Sequence, residues 1–422
     1  MTKNKSLFPF ILITSLFFLW GFAHNLDPIL IPHLKKSFTL TTVQATLVDS
    51  AVFIAYFLMA LPAGFIMKKY GYKTGIIIGL LIFAFGSYLF IPAANTQQYL
   101  FFLVALFIIA CGLTILETAA NPYASSLGDP ATSTQRLNFA QSFNGLAATL
   151  APIIGARIIL TKGYTSAQLS GMTEGARKLA LAAEASSVKI PYFILGSVLV
   201  IIAILFAFTH LPKIQHHDGH VASKNIFHAL KHRHLAWGVA AQFFYVGAQV
   251  CVFSLFILYA TKAAGLSEET AAYYLSACGL AFLIGRFIGT FLMRYYSSTG
   301  LLATYACINI FLCVIAILGH GMATIYSVIS ICFFMSIMFP TIFALGIKEL
   351  KGDTEFGSSL IIMSIVGGAV LPRIFGYISD MTGNIQYGYL VPLLCFAVVA
   401  YFGFKGYRVK VNPEDLPVSA TL

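Results

Sequence analysis

Long apolar runs, each closed by a short polar turn, recur along this chain of 422 residues. They fall near 7–33, 44–67, 74–93, 99–123, 137–160, 190–211, 235–262, 270–293, 299–319, 323–347, 356–379 and 386–406. About 20 apolar residues cross the hydrocarbon core of a bilayer as one helix. The pattern therefore predicts an all-α membrane protein with twelve transmembrane helices. Two breaks are longer than turns: a mixed-charge segment at 161–189, and 212–234, which is rich in His and Lys. The second divides the chain into an N-terminal six-helix bundle over 1–211, a linker over 212–234, and a C-terminal six-helix bundle with a short tail over 235–422.

An internal repeat points to the same division. A shift of 225 positions lays Gly64, Lys69, Tyr70, Thr74 and Gly75 onto Gly289, Arg294, Tyr295, Thr299 and Gly300. Both stretches follow the second helix of their half, where duplicated transporter halves coincide.

Composition sharpens the class. With 59% hydrophobic and 10% charged residues, the chain is far from a soluble domain, which carries about a quarter charged residues. A net charge of +11 is of the size found in nucleic-acid-binding proteins, but the basic residues sit in short loops between spans and report topology instead. Sixteen Lys and Arg, among them Lys68, Lys69, Arg136, Arg294 and Lys348, fall on one side, and seven, among them Lys35, Arg177 and Lys262, on the other. That asymmetry predicts both termini and the linker on the cytoplasmic side of a cell inner membrane. Seven cysteines lie mostly inside apolar runs without metal or disulfide spacing, and read as small core residues. The histidines of the linker fit no standard metal site and read as a solvated, positive-inside segment. The first run is too long for the core of a cleavable leader.

Against this apolar background a few polar residues stand out. Glu117 ends the run that begins near Leu100, and a carboxylate at membrane depth costs roughly 3 kcal/mol even on a lenient scale. Such a group faces protein or water and usually has a task; the bland reading is a neutral packing residue. Thr114, Thr118 and Asn121 extend a polar face around it. In the first span, His24-Asn25-Leu26-Asp27-Pro28 predicts a helix bent near Asp27, the geometry of a binding cavity; otherwise Asp27 is a solvated helix end. In the fifth span Asn138, Gln141 and Asn144 recur every three residues, placing amides on one face for sugar hydroxyls or for helix-to-helix bonding. The seventh adds Gln242, Tyr245 and Gln249 beside Phe243, Phe244 and Phe253. Amides and aromatics suit a sugar, whose hydroxyls need donors and acceptors and whose ring face stacks on aromatic rings. Carboxylates confined to the first half suit proton coupling. Arg286 reads as a structural contact, while Arg373 either enters the cavity or pairs with Asp380. No phosphate-binding loop of an ATPase is present, so gradients must drive any transport.

Several ordered stretches resemble the fucose-galactose-glucose:proton symporters of the major facilitator superfamily. They are Leu19-Trp20 with Asn25-Leu26, residues 61–69, 116–122, 136–144, 245–249, 340–348 and 379–385. The resemblance implies the major facilitator fold and import of a monosaccharide, L-fucose or a related hexose, by alternating access with one half rocking on the other. It implies a proton carried on Glu117 and sugar contacts from Gln141 and Asn144. From the residues themselves, Asp27 is expected as a second titrating group, with Asn25, Asn121, Tyr245 and Gln249 completing the sugar site. The family's first-helix acid aligns with Pro28, so Asp27 stands one place early, about 100° around a helix. The expected partners are the monosaccharide, the proton and the lipid bilayer. The chain is expected to act as a monomer without cofactor, metal, enzymatic activity or nucleic acid. An uncoupled sugar uniporter or small-polyol facilitator is the alternative.

Overall fold

The computed structural model describes residues 7–25, 47–96, 98–159, 171–186, 188–212 and 229–409, and all its regular elements are helical. The N-terminal half holds α1 (Leu7–His24), α2 (Leu47–Thr96), α3 (Tyr99–Ser126), α4 (Ser133–Ile159), α5 (Glu174–Ser186) and α6 (Lys189–Phe208). The C-terminal half holds α7 (Arg233–Ser254), α8 (Phe256–Ala264), α9 (Glu268–Leu292), α10 (Ser298–Leu318), α11 (Met322–Met335), α12 (Met338–Gly346), α13 (Thr354–Met363), α14 (Gly367–Thr382) and α15 (Leu390–Tyr401). Nine described segments are long and apolar enough to cross a membrane.

The difference between nine and twelve has local causes. The second and third runs form one helix, α2, bent at Gly71, where φ is 81° and ψ 165°. Only glycine adopts that conformation cheaply, so Tyr-Gly-Tyr turns the chain between the two spans without a loop. The fifth run forms one continuous helix, α4, and is not among the nine segments found within the described residues. The first is described as far as Asn25; Asp27, Pro28 and Pro32 lie outside the described residues, as does most of the central linker. Three other runs are interrupted: α7 passes into α8 at Leu255, α11 into α12 at Ser336–Ile337, and α13 into α14 through a 3₁₀ turn at Ser364–Val366. The 161–189 segment contains α5, an element outside the spans.

Helices buried in lipid gain little from hydrophobic segregation, so small residues that admit close backbone approach hold them together. Gly112 on α3 illustrates this: a Cβ there would lie 2.5 Å from the backbone nitrogen of Phe83 on α2. Side chains fill the rest of each bundle, as where the rings of Phe90 and Tyr192 stack at 3.7 Å.

The two halves meet along α2 with α13 and α4 with α9. Gly64 on α2 lies against Ser359 and the backbone of Glu355. Beside it, Phe356 receives the Phe65 ring at 5.0 Å and the Lys68 ammonium at 4.3 Å. At the matching place Gln135 Nε2 on α4 donates to the Thr290 carbonyl on α9 at 3.2 Å, next to the Gly289 that the repeat aligns with Gly64.

Candidate functional site

The site is built from the middle of α3 and α4. Glu117 is 8% exposed, in an α3 stretch buried from Gly112 to Ser125. The Tyr56 side chain, on α2, hydrogen-bonds with the carboxyl group, while Glu117 Oε2 has no partner. Tyr56 is the residue that sequence reasoning missed. Its hydroxyl, set in the otherwise apolar stretch 51–67 of the second span, was the available signal.

The threonines flanking Glu117 do not extend the site. Thr114 Oγ1 donates to the Ala110 carbonyl at 2.7 Å, and Thr118 Oγ1 to the Thr114 carbonyl at 2.6 Å. A hydroxyl one turn from a free lone pair satisfies itself at home. Asn121, one turn on from Glu117, does reach a neighbour: its Oδ1 accepts from Gln141 Nε2 at 2.9 Å, joining α3 to α4. Its own Nδ2 is buried without a partner.

The three amides of α4 take three roles. Asn138 donates to the Thr341 hydroxyl on α12 at 3.1 Å and so binds the other half. Gln141 faces Asn121. Asn144 is half-buried, with its side chain packed on Gly21 of α1, where a Cβ would lie 2.8 Å from Nδ2. Gly21 also receives the α1 terminus: the Asn25 side chain donates to the Gly21 carbonyl at 2.7 Å. Asn25 thus stands near Asn144 but turns its amide back onto its own helix end.

From the second half, Arg286 on α9 crosses to the first. Its Nη1 donates to the Gln141 carbonyl at 2.8 Å and its Nε to the Ser336 carbonyl at 2.8 Å, while its guanidinium lies 4.5 Å over the Phe282 ring. The reading of Arg286 as a structural contact holds, but the contact is with the backbone of a site residue. Tyr245 on α7 is fully buried with its ring 6.4 Å from that of Phe339. Gln242, one turn earlier, is fully buried with neither amide atom hydrogen-bonded among the described residues. Gln249 is half-buried further along the same helix. Arg373 and Asp380 are both exposed and form no ion pair with each other.

The hydrogen bonds that α4 makes across the interface come from Gln135, Asn138 and the Gln141 carbonyl, in its first half. With the Lys68–Phe356 contact they shut the end of the interface that carries the basic loops. Below this, His232 Nε2 approaches Asp353 Oδ2 at 3.5 Å and His234 Nε2 lies 2.8 Å from the Lys348 carbonyl. No cluster able to hold a metal occurs among the described residues.

A buried carboxyl and an amide pair within one helical half, which is held to the other half at a closed end, suit a transporter, and comparison with known proteins agrees. The model of the Major Facilitator Superfamily matches residues 10–354. The chain belongs to this superfamily. It is 42% identical over 408 residues to the L-fucose-proton symporter of Escherichia coli, covering 95% of this chain and 93% of that protein. It is 40% identical to a glucose/galactose transporter of Brucella abortus, covering 94% and 93%. The crystal structure of the superfamily transporter FucP in the outward conformation superposes with a TM-score of 0.88 at 42% identity, covering 94% of this chain and 98% of that one. As a superfamily member the chain has the two-bundle, twelve-helix fold expected of it, and it is a transporter and not an enzyme.

Proposed function

We propose that this protein is a proton-coupled sugar symporter that imports a monosaccharide by alternating access. Glu117 is the single residue that carries the reading. It is a carboxyl group enclosed between α2 and α3, with one oxygen unpartnered, one helical turn from an amide pair suited to sugar hydroxyls. A charge in a closed, dry site is costly, so the closed states hold the neutral acid and ionisation follows the entry of water from one side. Proton release is thereby tied to opening. The relatives named as symporters of L-fucose and transporters of glucose and galactose support a hexose as substrate.

The sugar site comprises Gln141, Asn144 and Asn121 from the first half and Tyr245 and Gln249 from the second, with Asn25 at the end of α1. Asp27 is the second titrating group. The halves are residues 1–211 and 235–422, joined by a cytoplasmic linker, with both termini cytoplasmic in the cell inner membrane. The protein acts as a monomer and needs no cofactor beyond the proton.

Uptake of labelled L-fucose, D-galactose, D-glucose, D-mannose and N-acetylglucosamine into proteoliposomes tests the reading. One of these sugars should accumulate above its external concentration only when an inward proton gradient is imposed. Equal plateaus with and without the gradient would show an uncoupled uniporter instead.

A further inference from the structure

Away from the sugar site, a cleft of about 410 Å3 opens between the two halves where α1 and α4 meet α9. Its walls carry Phe10, Phe139, Phe287 and Phe291, and its rim carries Arg136 and Arg294. Volumes of about 300–1,000 Å3 with apolar walls and a few placed polar groups are the usual form of a small-ligand site. Three of the four phenylalanines remain substantially exposed, Phe139 at 41%, Phe287 at 40% and Phe291 at 52%, and Ile284 and Ile288 continue that apolar surface along α9. On a membrane helix such a surface meets acyl chains.

The two arginines stand at the edge of this surface. Arg294 lies two residues beyond the end of α9, its guanidinium 5.8 Å from the Phe291 ring, and it is exposed with no ion pair among the described residues. Arg136, in the first turn of α4, donates to the carbonyls of Ser125 and Asp129 and to the Thr132 hydroxyl, leaving Nε buried without a partner. The Asp129 carboxylate lies near Arg136 and accepts from the Ala131 amide. Arg294 is thus the cation available to an incoming anion, and Arg136 adds positive potential beside it.

We infer that this cleft binds an anionic phospholipid from the adjoining leaflet, its phosphate at Arg294 and Arg136 and its chains along Phe139, Phe287 and the α9 surface. Charge complementarity argues for this occupant: a soluble anion has no use for the phenylalanine walls, and a neutral lipid has no use for the arginines. The walls belong to both halves, so the bound lipid bridges them and favours the state in which this end is closed. The inference rests on the chain lying in a bilayer and is independent of which sugar or ion it moves.

The test is tryptophan quenching by brominated lipid in the full-length protein, which involves neither sugar nor proton. In Phe287→Trp, corrected for Trp20 and Trp237, brominated phosphatidylglycerol should quench with about five-fold higher apparent affinity than brominated phosphatidylcholine. That is the contribution of one arginine near an anionic surface, roughly 1 kcal/mol. Arg294→Gln should reduce the preference towards unity while Arg294→Lys retains it. Phe291→Trp provides a second reporter should the first variant fold poorly. Equal quenching by the two lipids, or an unchanged preference in Arg294→Gln, overturns the proposal.

Discussion

Replacing Glu117 with Gln isolates the coupling role of the carboxyl. The side chain is 8% exposed, Tyr56 meets it from α2, and Oε2 has no partner. Glutamine has nearly the same shape, keeps an oxygen for Tyr56 and carries no charge, so it mimics the protonated acid permanently and creates no buried ion. Folding should therefore be little affected. Transport should not be spared. A proton driving force of about 150 mV corresponds to roughly 3.5 kcal/mol per proton, at about 2.3 kcal/mol per charge per 100 mV. At about 1.4 kcal/mol per decade, one proton per sugar supports a few-hundred-fold accumulation. In proteoliposomes Glu117→Gln should lose that accumulation entirely and equilibrate sugar at a ratio near one. It should still exchange labelled for unlabelled sugar across the membrane, because exchange needs the loaded carrier to reorient and no net proton movement. Its exchange rate should also stop responding to pH in the range where the wild type responds. If the Gln variant still concentrates sugar, Glu117 is not the coupling group, and the same measurements on Asp27→Asn become the next experiment.

Three further outcomes follow from the geometry. Gln141→Ala removes the donor to Asn121 and a proposed sugar contact, so sugar affinity by calorimetry should fall about five- to 150-fold, the effect of 1–3 kcal/mol; unchanged affinity in folded protein would remove Gln141 from the site. Gly64→Val places a branched side chain against Ser359 and the Glu355 backbone, so the closed end should open more often. A cysteine introduced at Thr341 should then be alkylated about tenfold faster, the equivalent of about 1.4 kcal/mol, and an unaltered rate would mean that this crossing does not govern the closed state. Gly71→Ala forces a side chain into a glycine-only conformation with no neighbouring atom to clash, so the cost is purely conformational, about 1–3 kcal/mol. It should appear as a lower thermal midpoint with the transport mechanism intact.

The number of spans, the membrane class and the distribution of positive charge could all be read from the chain, because each is a property of short contiguous segments. A bilayer demands about 20 apolar residues per helix whatever the neighbouring helices do. The isolated Glu117 could be singled out for the same reason, since its cost depends on depth and depth follows from counting along the run. What lay beyond the sequence was the rotation of each helix and the identity of what it faces. Thr114 lies one turn before Glu117 and Thr118 directly beside it, yet their hydroxyls bond within α3, and only the packed structure separates them from Asn121, which reaches Gln141. Asn138, Gln141 and Asn144 follow one spacing and meet three different partners, on α12, α3 and α1, because α4 lies in a crowded corner between both halves. Tyr56 and Arg286 come to the site from residues 61 and 145 positions away from those they contact. Hydrophobic periodicity tells which side of a helix is turned inward. Only the mutual packing of helices distant in sequence decides which polar groups meet there, and that meeting is where the transport chemistry resides.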